Sequence, residues 1–160
     1  MKTIRSRLIT AGVLCLLVTG ANAGLACPPD SVEVGPVCVD KYEASVWEIP
    51  ATKTLLINKV KNGRATLANL AAGGGIIQHG TDSNDYGSGC PDTGNGCTDF
   101  YAVSIAGVRP ARFITWFQAV AACRNAGKRL LTNEEWQAAA LGTPGGSPCI
   151  VNNSVAVVLE

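Results

Sequence analysis

Cysteine is the residue type in this 160-residue chain with the most distinctive chemistry, because a thiolate can bind a metal, act as a nucleophile or form a disulfide. After Cys15, six cysteines follow along the chain: Cys27, Cys38, Cys90, Cys97, Cys123 and Cys149. Zinc sites built from cysteine and histidine use closely spaced pairs such as C-x-x-C. The chain has no such pair and its only histidine is His79, so we do not expect a zinc site.

The spacing of the six cysteines favours disulfides instead. An even number of cysteines in an exported protein is typical of a disulfide framework, although six cysteines allow 15 connectivities. Two pairs are close in sequence and are flanked by Pro and Gly. We therefore predict the local bridges Cys27–Cys38 and Cys90–Cys97, which leaves Cys123 and Cys149 as the remaining pair.

A glycine-rich and aspartate-rich segment at 73–99 raises the question of a calcium site. Its sequence DSNDYG at 82–87 resembles the start of an EF-hand loop. However, Tyr86 stands where a ligand is needed, and Thr93 stands where the bidentate Glu is needed. The segment shows no periodicity, so we predict a long surface loop closed by Cys90 and Cys97 rather than an EF-hand.

The N-terminus has the three parts of a secretory signal. Lys2, Arg5 and Arg7 precede an apolar run over 8–18, and Ala21-Asn22-Ala23 supplies an A-x-A cleavage site. The run is about half of the roughly 20 residues that span a bilayer. We predict a signal peptide at 1–23 and one domain at 24–160, secreted or periplasmic, with no membrane association after cleavage. A lipoprotein signal ending at Cys27 is the alternative.

The charge of the mature chain argues against a polyanionic partner. Removing the three basic residues of the leader leaves 10 Lys and Arg against 12 Asp and Glu, a formal charge of −2. Nucleic acids and anionic membranes are held mainly by clustered positive charge. We therefore expect no nucleic-acid partner.

The elements that position these residues can be read from turn and cap signals. Residues 27–49 alternate apolar and polar side chains around Gly35-Pro36, which predicts a β-hairpin held by the first cysteine pair. The patterns at 50–72 are ambiguous, but residues 54–60 are compatible with a strand and residues 65–72 with a short helix. Residues 100–107 predict a strand that is packed on both faces.

Two capping boxes predict two helices in the last third of the chain. Thr115 with Gln118 opens the first helix, at 116–126, and Gly127 ends it. Thr132 with Glu135 opens the second helix, at 133–141. We expect the two helices to pack on each other through a shared apolar set: Trp116, Val120, Cys123, Trp136 and Ala140.

The stretch ITWFQAVAACRNAGKRLLTNEEWQAAALGT at 114–143 resembles the signature of the sulfatase-modifying-factor family, which includes the formylglycine-generating enzymes. The upstream segment CVDKYEA at 38–44 is similar to an early strand of that family. Leu131 replaces the usual Pro. The resemblance implies an α+β, C-type-lectin-like fold of the formylglycine-generating type, with two short helices, short antiparallel strands and long loops, and an incomplete domain.

The residues that match the signature have structural explanations. Trp116 and Trp136 would anchor helix faces, each with a large apolar surface. Gly127 would terminate a helix, and Arg129 and Glu135 would form an ion pair. We expect none of the five to take a direct chemical role.

The resemblance also indicates what this chain does not contain. Enzymes of the family oxidise a substrate cysteine with copper held by two cysteines, and those cysteines, the calcium ligands and a G-N-V-W-E-W-type segment lie in a C-terminal half without a counterpart here. No catalytic, cofactor or metal residue is therefore assigned, and copper or calcium would bind only if that half were supplied. The apolar ending before residue 160 is that expected of a truncated gene, a frameshift or a chain cut at a domain boundary.

Two functions from different classes follow. The first is an exported, non-catalytic module that binds a protein or glycan ligand or has a structural role. The second is a copper-dependent oxidase that makes formylglycine from cysteine. A third, weaker hypothesis is a disulfide-rich module that recognises a glycan or a surface protein through the loop 73–99.

Overall fold

The computed structural model describes residues 24–141 and 157–159, so the segment predicted as a signal peptide and Cys149 lie outside the described residues. Its strands and helices, in chain order, are β1 (Ser31–Val34), β2 (Val37–Asp40), β3 (Ala44–Glu48), α1 (Thr54–Lys61), α2 (Leu67–Ala71), β4 (Ile77–His79), β5 (Phe100–Ser104), α3 (Trp116–Asn125), β6 (Lys128–Leu130), α4 (Asn133–Ala140) and β7 (Val157–Leu159).

These elements form a small α+β domain with two antiparallel sheets. One sheet has the strand order β1-β2-β7-β6 and the other β4-β3-β5. Helix α3 packs against β5 and β6 and so covers parts of both sheets. The predicted fold class, with short antiparallel strands and long loops, is confirmed.

The hairpin predicted at 27–49 is confirmed over β1 and β2, but the end of that segment forms β3, which belongs to the other sheet. Val34 pairs with Val37 across the turn, where Gly35 has a φ of 58° that favours glycine. The Cys27–Cys38 disulfide ties the chain before β1 to β2, as predicted. The hairpin joins the four-stranded sheet, in which β7 at 157–159 pairs with both β2 and β6.

The core lies around the three-stranded sheet. Every residue of β5 is buried, which confirms the prediction of a strand packed on both faces. Trp47 of β3 is buried and donates its indole N–H to the Ser45 hydroxyl at 2.9 Å. The side chains of Ile49, Leu70 and Val60 are also fully enclosed.

The segment predicted as a strand at 54–60 is a helix, α1. Its two buried side chains, Ile57 and Val60, are three residues apart and therefore lie on one helical face. Lys59 and Lys61 lie in the last turn, where the helix dipole favours cations. This periodicity outweighs the β-branched residues that suggested a strand. The predicted helix at 65–72 is confirmed as α2, capped by Thr66.

The glycine-rich segment at 73–99 is more anchored than we expected. It contains β4, which pairs with β3, and a 3-10 turn at Gly87–Gly89. The predicted Cys90–Cys97 disulfide closes its second half. His79, Tyr86 and both cysteines are buried, so the segment contributes to the core as well as to the surface.

Both capping boxes are confirmed, but the predicted packing between the two helices is wrong. Thr115 and Gln118 cap α3, and Thr132 and Glu135 cap α4. Trp116 and Trp136, expected to anchor helix faces, are 64% and 48% exposed. Helix α4 has no buried side chain and lies against β1. None of the helices in the described part of the chain is long and apolar enough to cross a membrane.

Candidate functional site

Three large aromatic side chains are exposed within five residues at the beginning of α3. Phe113, Trp116 and Phe117 are 46%, 64% and 56% exposed. The rings of Trp116 and Phe117 lie edge to face, with centroids 5.3 Å apart and an interplanar angle of 83°. Exposed apolar side chains grouped in this way are typical of binding surfaces.

The cap of α3 fixes this aromatic pair to the disulfide loop. Gln118 is buried; its carbonyl accepts from the Thr115 N–H at 2.9 Å, and its amide donates to the Cys90 carbonyl at 2.7 Å. The Thr115 hydroxyl donates to the Asp92 carbonyl at 2.8 Å. A residue that caps the helix therefore also holds the loop closed by Cys90 and Cys97.

A polar pocket of about 360 Å³ lies at this junction. Its lining residues are Asn84, Gly87, Cys90, Pro91, Asp92 and Gln118. The Asn84 amide donates to Asp92 Oδ1 at 2.7 Å.

Gly94 brings the disulfide loop against the aromatic pair. Its φ is 72°, and a Cβ atom there would lie 2.6 Å from the Phe117 carbonyl oxygen. The loop therefore requires glycine at this position, because it packs directly on the backbone and Cβ of Phe117.

A second contact network borders the pocket. The Gly80 carbonyl accepts from the backbone N–H groups of Arg112 and Phe113 at 2.8 and 3.1 Å. The Arg112 guanidinium donates to the Thr81 carbonyl at 2.9 Å and lies 5.8 Å from the centre of the Phe113 ring. The loop that carries Asn84 is thus tied to the segment that leads into α3.

His79, the only histidine, has a structural environment. It is 7% exposed, its Nε2 lies 3.0 Å from Glu48 Oε2, and its Nδ1 lies 3.1 Å from the Asp85 carbonyl. Its ring stacks on Tyr86 at 5.5 Å. Burial raises the pKa of the Tyr86 hydroxyl well above its usual value, and that hydroxyl has no hydrogen-bond partner within the described residues.

A buried ionic cluster lies on the other side of α3. The Lys128 ammonium contacts Asp30 Oδ2 at 2.7 Å and Asp40 Oδ1 at 2.6 Å, and its side chain is fully enclosed. One oxygen of each carboxylate has no partner within the described residues. Burial raises the pKa of Asp40 to about 6, against the opposing attraction of Lys128. No local pattern in the sequence indicates this cluster.

Cys123 is the one cysteine of residues 24–141 outside the two disulfides, and it is buried. Burial raises the pKa of its thiol to about 12, and the negative charge of Asp40 contributes in the same direction. A thiol in this state is not a thiolate nucleophile at neutral pH. The predicted pairing of Cys123 with Cys149 involves a residue outside the described part.

The described residues do not fit the two-thiolate copper site of the family's enzymes. Cys27, Cys38, Cys90 and Cys97 are oxidised, which leaves one buried thiol between residues 24 and 141. A disulfide sulfur cannot serve as a thiolate ligand. Nor do the described residues contain a group of three or more His, Cys, Asp or Glu side chains that could hold a metal ion.

The remaining signature residues have the geometry expected of them. Gly127 follows α3 with a φ of 73°, which suits a helix stop. Arg129 contacts Glu135 through two nitrogen–oxygen pairs at 2.7 and 2.6 Å. The hydrogen bond from Arg129 lowers the pKa of Glu135 to about 2. This pair attaches the beginning of α4 to β6.

The sequence thus predicts the two helix caps, but not the junction that the α3 cap forms with the disulfide loop. The sequence predicts recognition only for the loop 73–99 as a whole, assigns no role to Phe117 and places Trp116 on a packed helix face. One available signal is the pair of adjacent aromatics directly after the N-cap Thr115, because two consecutive helical positions cannot both face the core.

Comparison with known proteins agrees with this fold. A profile described as the sulfatase-modifying factor enzyme 1-like domain matches residues 20–154, which is most of the 160 residues. No curated protein and no solved structure matches the chain significantly. With the α+β architecture and the two capped helices, this match shows that the chain belongs to the sulfatase-modifying factor family.

Proposed function

We propose that this chain is an exported, non-catalytic binding module of the sulfatase-modifying factor family. The observation that carries the proposal is the exposed pair Trp116 and Phe117 at the start of α3, the helix whose Gln118 lines the polar pocket with Asn84 and Asp92. Large aromatic side chains next to a few fixed polar groups are the usual composition of a recognition site.

The state of the thiols supports a non-catalytic role. Oxidation of a substrate cysteine on copper requires deprotonated protein thiols as ligands. In residues 24–141 four cysteines are consumed in disulfides, and the pKa of the fifth, Cys123, is raised to about 12.

Export is supported by the two disulfides together with the N-terminal pattern at 1–23. Disulfides persist in oxidising compartments such as the periplasm and the extracellular space. Sequencing the N-terminus of the exported protein should give Gly24. A chain that retains Met1 would contradict cleavage, and a lipid-modified Cys27 would identify the lipoprotein alternative.

The alternative function is a copper-dependent oxidase that generates formylglycine from cysteine, and family membership favours it. The deciding experiment incubates the oxidised full chain with Cu(I), oxygen and a peptide that carries the motif C-x-P-x-R. We expect no aldehyde by mass spectrometry, while an active formylglycine-generating enzyme run in parallel gives product. Turnover that is lost in Cys123→Ser would overturn the non-catalytic proposal.

A further inference from the structure

The pocket lined by Asn84, Asp92 and Gln118 contains polar groups that the protein does not use. Asn84 donates one amide hydrogen to Asp92 Oδ1, so the second amide hydrogen is available. Asp92 Oδ2 accepts no hydrogen bond within residues 24–141. A donor and an acceptor therefore stand side by side at the mouth of the pocket.

We infer that this site binds a neutral sugar unit of a glycan, with the sugar against Trp116 and Phe117 and its hydroxyls on Asn84 and Asp92. The inference deepens the proposed binding function and rests on it. A pyranose ring has an apolar face of C–H groups and a rim of neighbouring hydroxyls. The exposed Trp116 ring can lie on that face, with Phe117 at its edge, and the adjacent amide and carboxylate can bond two neighbouring hydroxyls.

The charge of the pocket favours an uncharged ligand over an anion or a cation. Its lining contains one acid, Asp92, and no basic side chain, so an anionic group would meet repulsion without a counter-charge. Asp92 is exposed and already accepts from Asn84, which weakens its attraction for a cation. An uncharged ligand with many hydroxyls satisfies both polar groups.

The site is held in its binding geometry before a ligand arrives. The Cys90–Cys97 disulfide closes the loop that carries Asp92, and buried Gln118 holds that loop to α3 through the Cys90 carbonyl. Thr115 makes a second connection, to the Asp92 carbonyl. A preorganised site loses little conformational entropy on binding, which matters for weakly binding sugars.

The test is isothermal titration of the oxidised full chain with cellohexaose, chitohexaose and maltohexaose, and with choline as a cationic contrast. We expect at least one hexasaccharide to bind with a Kd below about 1 mM. Trp116→Ala should raise that Kd by about tenfold or more, and Asp92→Ala by about fivefold. The matched control Trp136→Ala removes another exposed tryptophan, from α4, and should change the Kd less than about twofold.

Thermal unfolding of each variant shows that the fold is kept, because Trp116, Trp136 and Asp92 are all exposed. Three results would overturn the inference. They are no hexasaccharide binding with a Kd below about 1 mM, binding that is unchanged in both Trp116→Ala and Asp92→Ala, or binding of choline in place of the sugars. If the sugars do not bind and no aldehyde forms, only the glycan ligand is rejected. If aldehyde forms, the non-catalytic proposal itself is rejected.

Discussion

Helices α3 and α4 begin with the same capping device but lie in different environments. In each, a threonine N-cap bonds the N–H of the third helical residue, whose side chain bonds back. Half of α3 is buried, including Gln118 and Cys123, whereas α4 has no buried side chain. The cap is set by local sequence, but the burial of a helix depends on what the rest of the chain places beside it.

Strand β6 lies between these helices and shows the same contrast in two adjacent residues. Lys128 is enclosed on the α3 side and contacts two buried carboxylates, Asp30 and Asp40. Arg129 extends the other way to Glu135 of α4 and is partly exposed. Similar ion pairs should therefore differ in energy, because water screens one and not the other.

The largest difference is expected between Lys128→Met and Arg129→Met. Lys128→Met leaves two buried carboxylates without a cation and should lower the free energy of unfolding by about 3–5 kcal/mol. Arg129→Met should lower it by about 1 kcal/mol. Urea unfolding followed by tryptophan fluorescence measures both values. Equal losses would show that Lys128 is hydrated in solution.

A second variant separates the loss of charge pairing from the loss of packing. Replacing Asp30 and Asp40 by Asn in the Lys128→Met background removes all the buried charge. More than half of the lost stability should return. No recovery would mean that the Lys128 side chain stabilises the fold by packing alone.

The next contrast compares the two capping-box partners. Gln118→Ala should lower the free energy of unfolding by about 2–3 kcal/mol, because the Cys90 carbonyl and the Thr115 N–H lose their partner. Glu135→Ala should cost about 1 kcal/mol, because water can replace its bonds at the surface. Chemical denaturation gives both values. A larger loss for Glu135→Ala would mean that the cap of α4, and not that of α3, is the buried one.

The two regions should also respond to pH in separate windows. Asp40 has a folded-state pKa raised from 3.8 to about 6 by burial, so the folded state binds a proton more tightly than the unfolded state. The contribution of Asp40 to the free energy of unfolding is therefore fully present below about pH 4 and is lost as the pH rises through about 6. The change amounts to about 1–3 kcal/mol.

Glu135 behaves in the opposite sense. Arg129 lowers its pKa from 4.5 to about 2, so its contribution is present above about pH 4.5 and is lost as the pH falls toward 2. Unfolding measured from pH 2 to 8 should therefore show a rise in stability between pH 7 and 5 that disappears in Asp40→Asn. A flat profile in that range for the unmodified chain would contradict a raised pKa at Asp40.

The features that sequence predicted correctly are those encoded within a few residues. The two caps, the Gly127 stop, the Gly35 turn and the two short disulfide loops each depend on neighbours in the chain. The buried ionic cluster depends on contacts between Lys128 and residues 98 and 88 positions earlier, which no local pattern reveals.

The sequence pointed to the loop 73–99 as a recognition surface, but its junction with α3 could not be predicted for the same reason. It combines Asn84 and Asp92 with the beginning of α3, and a hydrogen-bond network brings these segments together across 23 to 34 positions in sequence. Helical spacing showed that Trp116 could share a face with Cys123, but not which face the sheets would cover.

The smallest expected effect tests the exposure of α4. The sequence analysis treated Trp136 as a packing anchor, and a buried tryptophan replaced by alanine costs about 3–5 kcal/mol. Because Trp136 is 48% exposed on a helix without a buried residue, Trp136→Ala should lower the free energy of unfolding by less than about 1 kcal/mol. The matched reference is Trp47→Ala, because Trp47 in β3 is only 7% exposed. This variant should lose about 3–5 kcal/mol of unfolding free energy, as expected for a buried ring. Equal losses at Trp136 and Trp47 would mean that another part of the protein covers α4 in solution. In that case α3 and α4 would not differ in burial.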